Sequence, residues 1–255
     1  VKLGIVTYNI AAAWDLPTII SVCEEIGLQG VELRTTHAHG VEVGLSPAER
    51  QDVRKRVEDS AIELAGLGSA FEYHSPDPDE LKKNIDGSKE YAKLAADVGA
   101  PGIKVRPNNI PEDVPLEKTL EQIGTSLREV GSFAGDLGVE IRLEVHGRKS
   151  CHVPYIAEML RIADHPNVKA CWNSNPADAD DTGDIAGHFG MLAQKIGLVH
   201  INVLTSGYPY RHLFQLLRNS GYKGFTLAEI PGCPDLDSAK VLLGYYKALW
   251  NELQP

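Results

Sequence analysis

Short apolar or β-branched runs end on polar or glycine positions eight times in this chain. The endings fall near Thr7, Arg34, Gly68, Arg106, Glu144, Asn173, His200 and Glu229, at intervals of 27 to 38 residues. Each interval has room for one helix and its turns, which is the size of a βα unit. Eight units in 255 residues predict an α/β chain closed into a (β/α)8 barrel, a fold that typically takes about 250 residues. We read residues 1–255 as one domain, with no linker and no repeat of the solenoid kind. A doubly wound open sheet is the alternative. It would want a glycine-rich turn after the first strand, and Tyr8-Asn9-Ile10-Ala11 stands there instead.

The helix signals agree with the count. Asp15 is placed to cap a helix through Ile26, with Pro17 in its first turn and Gly27 as its stop. Ser46-Pro47-Ala48-Glu49 carries a capping box with proline at the first helical position. Helical patterns run over 79–98, ended by Gly99, and onward from Pro115. In the latter, Leu116, Leu120, Ile123, Leu127 and Val130 share one face. Further helices are expected over 154–163, 185–196, 210–219 and 238–253.

Composition narrows the function classes. The net charge is −10 and lysine and arginine are scattered, so a nucleic-acid partner, which calls for a basic face, is not expected. No apolar run reaches the ~20 residues of a membrane span. Cys23, Cys151, Cys171 and Cys233 form no CxxC pair, so structural zinc on cysteines is not expected. The chain opens at Val1 directly into an apolar strand. The expectation is a cytoplasmic protein, or an exported one that has lost an N-terminal signal.

In such a barrel the reactive groups lie where the strands end, and these ends are polar. They offer Glu32 and Arg34, then Glu72 and His74, Lys104 and Arg106, Glu144 and His146, Asn173 and Asn175, His200, and Glu229. In Ile141-Arg142-Leu143-Glu144-Val145-His146 the alternation of a strand lets Glu144 and His146 point the same way. A carboxylate aimed inward needs compensation: either a cation, or an ion pair such as one with Arg142. Two glutamates and a histidine on different strands form a plausible ligand set. Mixed oxygen and imidazole donors suit Mn, Zn, Co or Fe, and an all-oxygen set would favour Mg. Asn173 is the weak fourth donor, because an amide oxygen carries no charge. Lys104 and Arg106 have a second reading as wall ion pairs with Glu32 or Glu72. Asp178, Asp180 and Asp181 read as a helix-start cluster, His37 and His39 as surface residues, and Tyr8 and Trp14 as a stacking face or ordinary packing.

With these residues in view, the chain resembles the sugar phosphate isomerase/epimerase group of xylose-isomerase-like TIM barrels. Leu143-Glu144-Val145-His146, Val199-His200-Ile201, and Gly221-Tyr222-Lys223-Gly224 running into Leu227-Ala228-Glu229 carry the resemblance. It implies a divalent metal at Glu144, Asn173, His200 and Glu229. The family has Asp where Asn173 stands, and often a further Asp after the histidine, where this chain has Asn202-Val203.

The expected function is a metal-dependent sugar isomerase or epimerase, moving a proton next to a carbonyl through an enediolate. Glu144 and Glu229 would exchange the proton. Glu72, His74, Lys104, Arg106, His146 and Arg211 would hold the substrate. A lyase or hydrolase acting on an oxidised sugar or glycoside is the runner-up, and a non-catalytic sugar-binding module the third reading. The expected partner is a small carbohydrate, with a homo-oligomer possible. A Schiff-base aldolase would need a lysine at the mouth, and only Lys104 qualifies, since Lys169 sits at the start of its strand. An endonuclease would need more His and Asp ligands and a basic face.

Overall fold

The computed structural model describes residues 1–255. Eight parallel strands form a closed barrel in sequence order, with β1 hydrogen-bonded to both β2 and β8. The strands are β1 (Lys2–Val6), β2 (Gly30–Arg34), β3 (Glu63–Glu72), β4 (Gly102–Arg106), β5 (Glu140–Glu144), β6 (Val168–Asn173), β7 (Ile196–Ile201) and β8 (Phe225–Ala228). The helices that follow them are α1 (Leu16–Ile26), α2 (Pro47–Glu58), α3 (Pro78–Val98), α4 (Leu116–Asp136), α5 (Val153–Ala163), α6 (Ala186–Leu192), α7 (Tyr210–Asn219) and α8 (Leu236–Leu253).

The expected caps are in place. Asp15 Oδ1 accepts the Thr18 N–H at 2.9 Å, and Gly27 ends α1 in the left-handed region at φ 73°. Ser46 and Glu49 complete the capping box of α2. Leu120, Ile123, Leu127 and Val130 are the buried face of α4.

Two boundaries differ from the sequence reading. The third strand runs on to Glu72, past the Gly68 ending, because Gly68-Ser69-Ala70 continue as extended chain. The sixth helix stops at Leu192 with a single tighter turn over Ala193–Lys195, and Ile196-Gly197 open β7 rather than closing the helix.

Alternation along the strands divides the side chains between two cores. Val31, Leu33, Ile103, Val105, Ile141, Leu143, Val199 and Ile201 belong to the large apolar core shared with the helices. Val6, Ala65, Cys171, Leu198, Phe225 and Leu227 form a separate small cluster, the apolar floor of the barrel interior. The same inward parity carries Glu32, Lys104, Arg142, Glu144, Asn173 and His200, all of them buried. So the barrel is filled by an apolar floor with polar residues around and above it. No helix is long and apolar enough to cross a membrane.

Candidate metal centre

β5, β7 and the residue just past β8 bring Glu144, His200 and Glu229 together, with one donor atom from each mutually within 4.8 Å. His200 Nδ1 lies 3.4 Å from Glu144 Oε1 and 3.5 Å from Glu229 Oε2. The register explains the meeting: His200 pairs with Asn173 on one side and Leu227 on the other, and the Glu229 N–H donates to Ile201 O at 2.9 Å. The cluster is buried and can coordinate a divalent cation.

The surrounding donors fit that role. Neither nitrogen of His200 has a hydrogen-bond partner, although the ring is fully buried. Asn173 donates its Nδ2 to Glu144 Oε1 at 3.2 Å, which leaves its Oδ1 buried and without a partner. Buried polar atoms are normally satisfied. His200 Nδ1 and Asn173 Oδ1, both unpartnered beside two carboxylates, are a donor set that fits a divalent cation.

Charge in the pocket is already partly balanced. Lys104 Nζ lies 2.8 Å from Glu144 Oε2, with both side chains buried. Burial opposes ionisation of Glu144, yet Lys104 and His200 overcome it and hold the carboxyl well below its usual range. Burial likewise opposes the Lys104 ammonium, and Glu144 and Glu32 raise its pKa regardless. Burial works against a charged His200 ring, but Cys171, Glu32 and Glu144 together raise its proton affinity well above the ordinary value.

A second group of polar residues stands at the ends of β3, β4 and β5. Arg106 reaches Ala70 O and Glu72 Oε1, both at 3.3 Å, and His74 Nδ1 lies 3.4 Å from Glu72 Oε2. Glu72 Oε2, His74 Nδ1, Arg106 Nε and His146 Nδ1 are each buried without a hydrogen-bond partner. Burial, with Lys104 and Arg106 behind it, lowers the pKa of the half-buried His146 despite Glu144 nearby.

Other residues fall elsewhere than the sequence suggested. Arg211 is exposed on the first turn of α7 and joins neither group by hydrogen bond or ion pair. Arg142 pairs with Glu140 and Ala65 O at the barrel floor, not with Glu144. His39 is buried, bonded to Arg34 O and the Val41 N–H, rather than lying at the surface. His37 meets Thr7 Oγ1 at 2.9 Å and stacks on Tyr8. Asp178 does sit at a helix start, in a capping box with Asn175 on the short turn Pro176–Asp178. It is fully buried, accepts from Tyr208 Oη at 2.8 Å and the Asn175 N–H at 2.9 Å, and burial pushes its carboxyl up to about 7. Glu32, opposite these residues on β2, is fully buried and lies 3.4 Å from His200 Nε2. Its place in an apolar Val31–Leu33 frame was the available signal.

Solved structures share this architecture. D-psicose 3-epimerase of Clostridium cellulolyticum H10, solved with D-tagatose, superposes with a TM-score of 0.84 at 16% identity, covering 100% of both chains. The 3-keto-D-glucoside 4-epimerase of E. coli gives 0.78 at 14% identity over 97% of this chain and 99% of its own. The IolI protein, solved with a bound zinc atom, gives 0.77 at 14% identity over 99% and 96%. No curated protein sequence matches the chain. The family model described as xylose isomerase-like TIM barrel matches residues 20–248, and the chain belongs to that family.

Proposed function

We propose that this protein is a divalent-metal-dependent isomerase or epimerase of sugars that works by proton transfer next to a carbonyl. One observation carries the reading. The Glu144–His200–Glu229 cluster lies at the strand ends, in the same mouth as Glu72, His74, Arg106 and His146 with their unpartnered buried atoms. Two of the structural neighbours, a D-psicose 3-epimerase and a 3-keto-D-glucoside 4-epimerase, support the same reading.

Glu144, Asn173, His200 and Glu229 are the residues that would hold the metal. A cation there supplies electrostatic stabilisation for negative charge developing on neighbouring substrate oxygens. The Glu229 side chain keeps 19% of its exposure and the Glu144 side chain 2%. Glu229 is therefore the carboxylate more open to substrate, and we assign it proton removal. We assign proton return to Glu144, which, being held as a carboxylate, would pass on a proton taken from the Lys104 ammonium 2.8 Å away. Glu72, His74, Arg106 and His146 hold the outer hydroxyls, and Lys104 acts through Glu144. Arg211 would reach the substrate only through movement of its side chain.

The test is turnover of Mn²⁺-supplied protein in D2O with ketoses, uronic acids and 3-keto-glycosides. Deuterium entering the carbon next to the carbonyl, with epimer or isomer formed, is the expected result. It should be lost in both Glu144→Gln and Glu229→Gln. Elimination or cleavage products would transfer the site to the lyase or hydrolase reading. Sugar binding without any exchange would make it a binding module.

A further inference from the structure

Glu32 is a buried carboxylate inside the barrel that the proposed reaction does not use. It is 0% exposed, and neither carboxylate oxygen has a hydrogen-bond partner. A carboxylate so placed is strongly unfavourable unless something positive answers it. Lys104 is paired with Glu144 at 2.8 Å, and Arg142 with Glu140 at 2.9 Å. The polar atom facing Glu32 is His200 Nε2, at 3.4 Å. The other nitrogen of that ring, Nδ1, faces Glu144 and Glu229. The imidazole thus stands between Glu32 and the proposed cation position.

The backbone is shaped around this carboxylate. The β2–β3 register slips between Val31 and Glu32, so that Val31 pairs with Leu64 and Glu32 with Gly66. With Ala65 as the extra residue, Gly68 comes to stand against Glu32. A methyl group at Gly68 would meet Glu32 Oε1 at 2.7 Å. The bulge and the side-chain-free position at Gly68 are an arrangement that makes room for Glu32.

We propose that Glu32 is a positioning residue of the metal centre: it accepts the Nε2–H of His200, fixes the ring with Nδ1 towards the cation, and adds a negative charge behind it. This rests on the cation reading of the site. The charge matters because Asn173 contributes none and Lys104 cancels Glu144. Glu32 restores through the ring what a carboxylate at position 173 would give directly. Carboxylate partners of metal-bound histidines act in this way, and their loss lowers metal affinity by about 10- to 100-fold.

The experiment is Mn²⁺ titration, read by the loss of the free-ion EPR signal, on metal-stripped wild type, Glu32→Gln and Gly68→Ala. It is accompanied by 15N NMR of the Zn²⁺-loaded histidines. Wild type should bind, with His200 protonated at Nε2 and metallated at Nδ1. Glu32→Gln should bind Mn²⁺ about 10- to 100-fold more weakly while its metal-free form still unfolds in one cooperative transition, which shows that the loss is not one of folding. Gly68→Ala, which crowds the carboxylate without removing it, should also weaken binding and serves if Glu32→Gln does not fold. Equal affinity in wild type and a folded Glu32→Gln overturns the role of Glu32 alone. A wild type that takes up no Mn²⁺ overturns the cation reading, and the Glu32 role with it.

Discussion

Lys104 Nζ and Glu144 Oε2 sit 2.8 Å apart inside the barrel, and neither side chain exposes more than 8%. Removing one member of a buried pair strands the other's charge and costs roughly 3–5 kcal/mol. Lys104→Met should therefore lower the stability of the metal-free protein by that order. A divalent cation at the neighbouring cluster would supply the missing positive charge. Thermal melts with and without Mn²⁺ should show a larger metal-induced rise in Tm for Lys104→Met than for wild type. An equal rise would mean that Lys104 and the cation do not share Glu144.

Asn173 Nδ2 donates to Glu144 Oε1 at 3.2 Å. Asn173→Asp turns that hydrogen bond into a contact between two carboxylates, which is repulsive in a buried site. The metal-free variant should melt earlier than wild type. Its Mn²⁺ affinity should rise at least about tenfold, the effect of 1.4 kcal/mol of added attraction. Calorimetric titration of both proteins decides it, and unchanged affinity would show that position 173 does not face the cation.

Gly147 follows His146 at φ 98°. A side chain there would fall inside van der Waals contact of the Asn108 carbonyl, which accepts the Arg148 N–H at 3.0 Å and ties the β4 and β5 loops together. The conformation alone costs a non-glycine residue about 1–3 kcal/mol. Gly147→Ala should lose at least that much in urea unfolding. Because the loop must shift, it should also weaken sugar binding through His146. A variant as stable as wild type would refute the strain.

The barrel was legible because buried parallel strands alternate with helices at a nearly constant interval, and because caps such as Asp15 and Ser46 mark where helices begin. Glu144, His200 and Glu229 were legible for a related reason: polar residues at the ends of apolar strands have few other uses. Which charge answers which was not. Pairing across a barrel depends on register and reach, so Glu144 was set against Arg142, while the fold gives it Lys104. Gly68 read as the end of a strand because it lacks a side chain. It is extended chain that makes room for Glu32. Asp178 read as one of three helix-start acids. It does cap the turn after β6 with Asn175, but sequence alone does not reveal that Tyr208 closes over it.

Asp178 also gives the fold a pH dependence. Its carboxyl is held at about 7 by burial, against an ordinary value of 3.8. Below about pH 4 the group is protonated in both folded and unfolded chains and costs nothing. Between about pH 4 and 7 the unfolded chain releases the proton while the fold keeps it, so stability falls as pH rises. Above about pH 7 both forms are ionised and the penalty is complete, on the order of a few kcal/mol. Asp178→Asn keeps an oxygen for the Tyr208 hydroxyl and the Asn175 N–H but cannot ionise. Urea unfolding at pH 4.5, 6 and 8 should therefore show the variant gaining on wild type step by step, with most of the gain reached by pH 8. The difference between the two proteins isolates this group from the other carboxylates. A constant difference across that range would mean that Asp178 titrates normally in the fold.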